Sequence, residues 1–397
     1  MVSRLMRLLV LSLLVLSIAS PGFAARRSSL GGNLLIKDMD EVFFFPQRVG
    51  EYNRTVTFDL GSSNGLGSGG MIFGNESVVL GAFAHRSDFI AAIPNAFFTA
   101  GDIDNVSNGG QNDFSPISSS LLGGAGPAGG PFQWFDVLLG WEGGGNPWGV
   151  RLSVGRNQDD PAGDDKEDVT SVNAMVGVTM RNIDLAGEFA IGDGTSDIAG
   201  TRTESSPSGF AIAARKTAVE QSEDLQLGWM GEFSFHSGGS DVTTAGTTTT
   251  TDESATTFVL GMGPVYSPSE RTTVAMYGTF EYLHSSSDDG TTNDTGTSYI
   301  IPGWHIAGEF ELASWLQARV GVESRFSISK DKTEVVGGAS SESQIVDLNF
   351  RWHTGIGVNL GNFQLDGYID PSVITSGTDL FGDSTDLFGL VSAGYSF

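Results

Sequence analysis

A strict two-residue alternation of apolar and polar residues runs through this chain over unusually long stretches. From Ile345 to Leu360, Val346, Leu348, Phe350, Trp352, Ile356, Val358 and Leu360 share one parity, while Asp347, Asn349, Arg351, His353 and Asn359 share the other. Such a stretch is a β-strand with one oily and one wet face. Leu316 to Phe326 repeats the pattern, with Leu316, Ala318, Val320 and Val322 set against Gln317, Arg319, Glu323 and Arg325. Trp304 to Leu312 does so again, with Trp304, Ile306, Phe310 and Leu312 against His305, Glu309 and Glu311. Strands of soluble sandwiches average about five or six residues, whereas these reach the roughly ten needed to cross a bilayer at a tilt near 45°.

The connections carry a second signal. Backwards from the C-terminus, Gly361-Asn362 is short, Ser327 to Gln344 long, Ala313-Ser314 short, Leu283 to Ser298 long, Ser267 to Glu270 short and His236 to Ala255 long. The alternation continues through Ser222 to Asp224, Asp193 to Ser208, Arg181-Asn182, Asn157 to Asp168, Glu142 to Asn146 and the very long Ser87 to Pro131. A barrel in an outer membrane has this habit, with tight turns on the periplasmic side and extended loops outside. Counting strands back to Val56 gives about sixteen, or about fourteen if two of the first three belong to an insertion; either even number returns both termini to one side.

Composition fits that reading. The 397 residues carry a formal charge of −26, which would repel nucleic-acid phosphates and excludes that class of partner. No cysteine is present, so disulfides, thiolate metal sites and thiol nucleophiles are excluded. At the N-terminus, Arg4 and Arg7 precede an uncharged run from Leu8 to Ile18, then Pro21, Gly22 and Ala24. This is the order of a cleaved secretory signal peptide, with cleavage placed after Ala24.

The chain ends Leu390-Val391-Ser392-Ala393-Gly394-Tyr395-Ser396-Phe397. Here it resembles bacterial outer-membrane β-barrels of the porin kind, whose last strand commonly ends in an aromatic residue with apolar residues two apart. The resemblance implies a location in the outer membrane of a Gram-negative bacterium, with lipid and lipopolysaccharide around the barrel. It also implies that the barrel-assembly machinery reads Tyr395 and Phe397. Trp141, Trp148, Trp304, Trp315 and Trp352 fall near strand ends or on the lipid parity, where an aromatic belt would lie.

Two segments break the strand pattern, and such breaks tend to mark function. Ser87 to Pro131 is long and holds Phe89, Ile90, Ile93, Phe97 and Phe98. The mature N-terminus, residues 25–52, holds Leu34, Leu35, Ile36, Val42, Phe43, Phe44, Phe45 and Pro46. Apolar residues ahead of the first strand have no lipid to face, so the segment is read as a plug inserted into the barrel, with residues 53–397 forming the barrel and 87–131 a long inserted loop. A Gly-rich start, Lys37-Asp38-Met39-Asp40-Glu41, aromatics and a proline make this segment similar to the hatch of the long-chain fatty-acid transporter family. That hatch carries Asn-Pro-Ala where this chain has Phe45-Pro46-Gln47, and no binding residue carries over.

Parity sends a set of charges to the lumen: Arg319, Glu323, Arg325, Asp347, Arg351, His353, His305 and Glu309 are the candidate pore-lining residues, accompanied by Arg151, Arg181, Arg215, Glu188, Glu232, Glu281, Glu311, Asp366 and Asp370. They would bias passage in an open pore, or pair across strands and with a plug in a closed one. Gly238 to Ser254 and Ser285 to Ser298 read as solvated outer loops. The run Asp159, Asp160, Asp164, Asp165, Glu167 and Asp168 is read as a solvated charge run, with divalent-cation binding as the alternative. No cofactor and no resident metal are expected. The functional expectation is an outer-membrane channel or transporter for a small solute, hydrophobic compounds favoured, through a plugged or constricted barrel. General diffusion porin and structural or adhesion barrel are the alternatives, with a phospholipase-type hydrolase built on His284 and Ser286 behind them.

Overall fold

The computed structural model describes residues 24–30, 33, 35–61, 67–75, 77–86, 133–159, 166–198, 200–220, 224–269, 271–369 and 388–397. The leader before Ala24, the inserted segment 87–131, Asp160, Asp164, Asp165 and Asp370 lie outside them.

Seventeen strand segments follow in order: β1 (Thr55–Gly61), β2 (Gly67–Gly74), β3 (Val78–Arg86), β4 (Gln133–Gly143), β5 (Asn146–Asp159), β6 (Lys166–Met180), β7 (Ile183–Ile198), β8 (Thr201–Ser205), β9 (Ser208–Glu220), β10 (Leu225–Thr244), β11 (Thr247–Ser269), β12 (Thr272–Asp288), β13 (Thr292–Ala313), β14 (Leu316–Val335), β15 (Ser340–Leu360), β16 (Phe363–Ile369) and β17 (Phe388–Ser396). β8 and β9 both pair with β7 on one side and β10 on the other, so they are two halves of one barrel strand, parted at Ser206-Pro207. Proline cannot donate to the ladder, which explains the break. The barrel therefore has sixteen antiparallel strands. It closes where β1 pairs with β17, from Thr55↔Ser396 to Gly61↔Leu390. Closure removes every sheet edge along that seam.

The tight turns are made by residues that tolerate left-handed backbone: Gly144 and Gly145 between β4 and β5, Arg181 and Asn182 between β6 and β7, and Gly361 between β15 and β16. Arg181 thus sits exposed in a turn and is not part of the inner wall that parity assigned it to. At the opposite end, the stretches read as solvated loops are strand hairpins instead. β10 and β11 pair out to Thr244↔Thr247, β12 and β13 to Asp288↔Asn293, and β13 and β14 to Thr292↔Val335. Thr-rich sequence lacks an apolar face yet favours β-structure, so periodicity was silent where the ladder continues.

The two faces of the wall are chemically opposite. Met262, Ile212, Val176, Met276 and Val320 are exposed on the outside, while Arg151, Arg215, Glu188, Glu232, Glu281, His305, Arg319, Glu323, Arg325 and Asp366 are buried on the inside. A belt of exposed apolar side chains around a closed sheet with a charged interior has one physical solvent on its outside, the hydrocarbon of a bilayer. This is a transmembrane β-barrel of the outer-membrane type. Aromatics gather near its rims: Trp141 stacks on Trp148 at 6.5 Å beside one tight turn, exposed Trp315 sits in another, and Tyr282 and Tyr299 meet at 5.3 Å further up the wall.

Candidate functional site

The described part of the N-terminal segment folds without strands. A short helix, α1 (Ala24–Ser29), is followed by 3-10 turns at Met39–Phe43 and Pro46–Tyr52. Asp38 starts the first turn by accepting from the Asp40 N–H, and Pro46 opens the second at a position where its missing N–H costs nothing. Leu35, Met39, Val42, Phe43, Phe44, Phe45 and Val49 are buried in one core cluster with the inward wall residues Ile72, Phe83, Leu138, Met175, Met230, Val259 and Tyr277. Phe43 meets Phe83 edge-on at 4.9 Å. Burying a Phe stabilises by roughly 1.5–3 kcal/mol, so the Phe run is a strong anchor.

Glycines on the inner wall make room for this approach. A Cβ on Gly149 would overlap the Pro46 backbone, one on Gly177 would meet the Gln47 side chain, and one on Gly228 would meet Leu35. Gly149→Ala is expected to loosen residues 46–49 from the wall while leaving the barrel ladder intact. Limited proteolysis should then cut the segment faster than in the unmodified protein; equal rates would show that the close packing at Gly149 is dispensable.

Charge pairing fixes the same segment. Arg215 of β9, fully buried, holds Glu41 at 2.6 Å and Asp184 of β7 at 2.9 Å, and its guanidinium lies 4.6 Å over the Phe45 ring. Arg48 reaches Asp184 at 2.7 Å, and Thr179 donates to the same carboxylate at 2.7 Å. Arg151 of β5 pairs with Glu188 at 2.6 Å and donates to the Phe43 carbonyl. On the other side of the lumen, Arg26 bridges Asp38 at 3.4 Å and Glu309 at 3.0 Å, and Glu309 also takes Arg319 at 2.6 Å. Arg27 lies 4.4 Å over Phe44. Burial lifts the Asp38 carboxyl to about 7 against the opposing pull of Arg26. Of these partners, Glu41, Asp38, Arg26, Arg48 and Asp184 were not among the sequence candidates; Asp184 shares the inward parity of Glu188 and was legible, whereas contacts of an irregular segment have no period to read.

The parity candidates divide. Glu323 is a hub, with His305 Nδ1 and His353 Nε2 each at 3.5 Å and Arg325 at 3.7 Å. Tyr277 stacks on His305 at 4.5 Å, and Arg351 stands opposite Glu323 in register. Asp347 is elsewhere: it is exposed on the tall part of β15, beyond the described pairing with β16, which reaches Thr354↔Ile369, and it accepts from the Leu348 N–H. Among the described residues no group of three or more His, Asp or Glu is placed to hold a metal ion. Asp168 of the acidic run pairs with Arg156 at 2.8 Å. His284 lies 3.2 Å from the Thr297 hydroxyl, so its ring is engaged across the strand rather than along it towards Ser286.

Beyond the segment the lumen is polar. Ser153, Ser171, Asn173, Ser234, His236, Thr257 and Thr279 are buried on the inner face. Further out, the tall hairpins enclose a cavity of about 440 Å³ lined in part by His236, Glu253, Ser285, Ser287, Asp294 and Asp331.

No family model matches the chain, and no curated protein matches it. Among solved structures it is similar to the siderophore receptor PiuA from Acinetobacter baumannii, at 8% identity and a TM-score of 0.39 over 60% of this chain and 47% of that one. It is also similar to the alcaligin outer-membrane receptor FauA from Bordetella pertussis, at 7% identity and 0.43 over 80% and 60%. The copper transporter OprC gives 11% identity and 0.40 over 79% and 60%. The chain thus spans 47% to 60% of the length of these structures. Likeness of this degree assigns neither ligand nor partner.

Proposed function

We propose that the protein is an outer-membrane transporter for a small solute, with residues 25–52 as a plug that closes the lumen. The observation that carries this reading is the pairing of buried segment and wall charges, above all Arg215 with Glu41 and Asp184. A permanently filled structural barrel gains nothing from buried ion pairs over apolar packing of the same volume. Polar joints can exchange partners with water and solute, as a gate must. The polar inner wall beyond the segment favours a polar solute over the hydrophobic one that the Phe run suggested. An open diffusion porin is disfavoured because the segment occupies the wet path, and the tall hairpins leave adhesion as the second reading. Nothing in the reading requires an enzyme.

Flux into proteoliposomes tests the proposal. Full-length protein should pass small polar solutes slowly and Gly149→Ala protein faster. Equal impermeability of both would favour the adhesion barrel.

The outer membrane is the proposed location, with lipid and lipopolysaccharide against the apolar belt and export by the leader. Tyr395 and Phe397, exposed on the last strand with rings 6.4 Å apart, are the proposed contact for the barrel-assembly machinery. Replacing both with alanine should lower outer-membrane levels several-fold and leave export unchanged, as fractionation would report; normal outer-membrane levels would remove that role.

A further inference from the structure

The inner wall is unevenly charged. Its buried acids include Asp136, Glu188, Glu232 and Glu281, whereas Arg151 is committed to Glu188 and the Phe43 carbonyl. Glu232 of β10 is the outlier. It is only 3% exposed, neither carboxylate oxygen has a hydrogen-bond partner among the described residues, and the charges acting on it are the two acids Glu188 and Glu281. Register explains the grouping. Glu232 and Glu281 flank Val259 in one row across β10, β11 and β12, and Ala213 of β9 faces Glu232 from the other side.

The row lies on the same inward face as His236, four residues further along β10, which lines the outer cavity with Glu253, Asp294 and Asp331. From the mouth to the segment, then, the lumen wall on this side is dominated by carboxylates and hydroxyls, and Lys332, which also lines the cavity, is already paired with Glu334. A buried carboxylate without a donor is costly and is relieved by N–H donors carrying positive charge.

We propose that this acidic chamber binds an organic cation bearing ammonium or guanidinium groups, with Glu232 as its anchor and the Glu253, Asp294 and Asp331 cavity as its collecting mouth. The ligand class follows from the wall. With Glu188 already neutralised by Arg151, an anion would still face Glu232 and Glu281 together, and an apolar molecule would leave Glu232 without a partner. Among the described residues no convergent ligand set suits a compact divalent metal, while an ammonium needs only one carboxylate and a few oxygens. The inference rests on the reading of the lumen as a solute path, so binding and flux are measured separately.

Isothermal titration of the detergent-folded full chain with 1,5-diaminopentane should show saturable, salt-sensitive binding, with none for 1,5-pentanediol. Glu232→Gln should weaken binding at least tenfold, whereas Glu342→Gln, on an exposed hairpin, should not change it. Ala213→Lys places an ammonium opposite Glu232 and should abolish binding; it carries the test if Glu232→Gln does not fold. Absence of binding in the unmodified protein, equal affinity in Glu232→Gln, or retained binding in Ala213→Lys would each overturn the proposal. Binding without flux would uphold the cation site and defeat the transport reading, and flux without binding would do the reverse.

Discussion

Arg215→Met is expected to destabilise the protein by about 3–5 kcal/mol, the range for removing one partner of a buried ion pair. Arg215 and the two carboxylates it serves are each at most 2% exposed at the side chain. Asp184 would keep Arg48 and Thr179. Glu41 would keep only the Tyr52 hydroxyl at 3.0 Å among its described side-chain partners, and a buried charge held by one neutral donor is poorly compensated. The cation–π contact with Phe45 is lost as well. Because segment and wall are joined here, the variant has two ways to fail: global unfolding at lower denaturant, or release of the segment with the barrel intact. Urea titration of the folded protein reads the first and protease access to residues 25–52 the second. Arg202→Met, which breaks an exposed pair with Glu204, should cost about 0–1 kcal/mol. If the two variants behave alike in both assays, the Arg215 cluster does not hold the segment.

The second large effect concerns the outer face. Met276→Arg and Val320→Arg each place a guanidinium among the exposed apolar side chains of the outer face, where a charge costs up to about 2–4 kcal/mol, most near the bilayer midplane. Ser287→Arg, by contrast, enters the acidic cavity beside Glu253 and Asp294 and should be close to neutral. Folding yield in liposomes, with the unfolding free energy of the folded fraction, separates the two. Equal losses would mean that lipid does not contact the Met276 and Val320 face.

What the sequence revealed follows its periods. Wherever one face is apolar and the other charged, as from Leu316 to Phe326, the register and the inward residues Arg319, Glu323 and Arg325 were legible two positions at a time. Where both faces are polar, from Gly238 to Ser254 and in Ser327 to Gln344, the alternation vanishes although the strands continue, because a hairpin standing in water needs no oily side. Asp347 shows what parity leaves out: its parity is inward, but it stands exposed beyond the described pairing of β15 with β16, and parity says nothing about height. In the candidate site, the contiguous Phe43, Phe44 and Phe45 announced burial ahead of the first strand. Their charged companions could not be paired in advance, since Arg26 finds Glu309 across 283 residues of chain and no local spacing encodes that contact. The wall glycines Gly149, Gly177 and Gly228 are likewise visible as residues but silent about what approaches them.

Whether residues 25–52 close the barrel, as we propose, is read by single-channel conductance in planar bilayers. Protein lacking residues 25–52 should fold into the same barrel and conduct at least several-fold more current than the full chain, in which Phe43, Phe44, Phe45 and the Arg215 cluster are packed against the inner wall. Unchanged conductance in a folded variant would mean that the path of ions through the barrel does not pass the segment at all, and residues 25–52 would not be a plug.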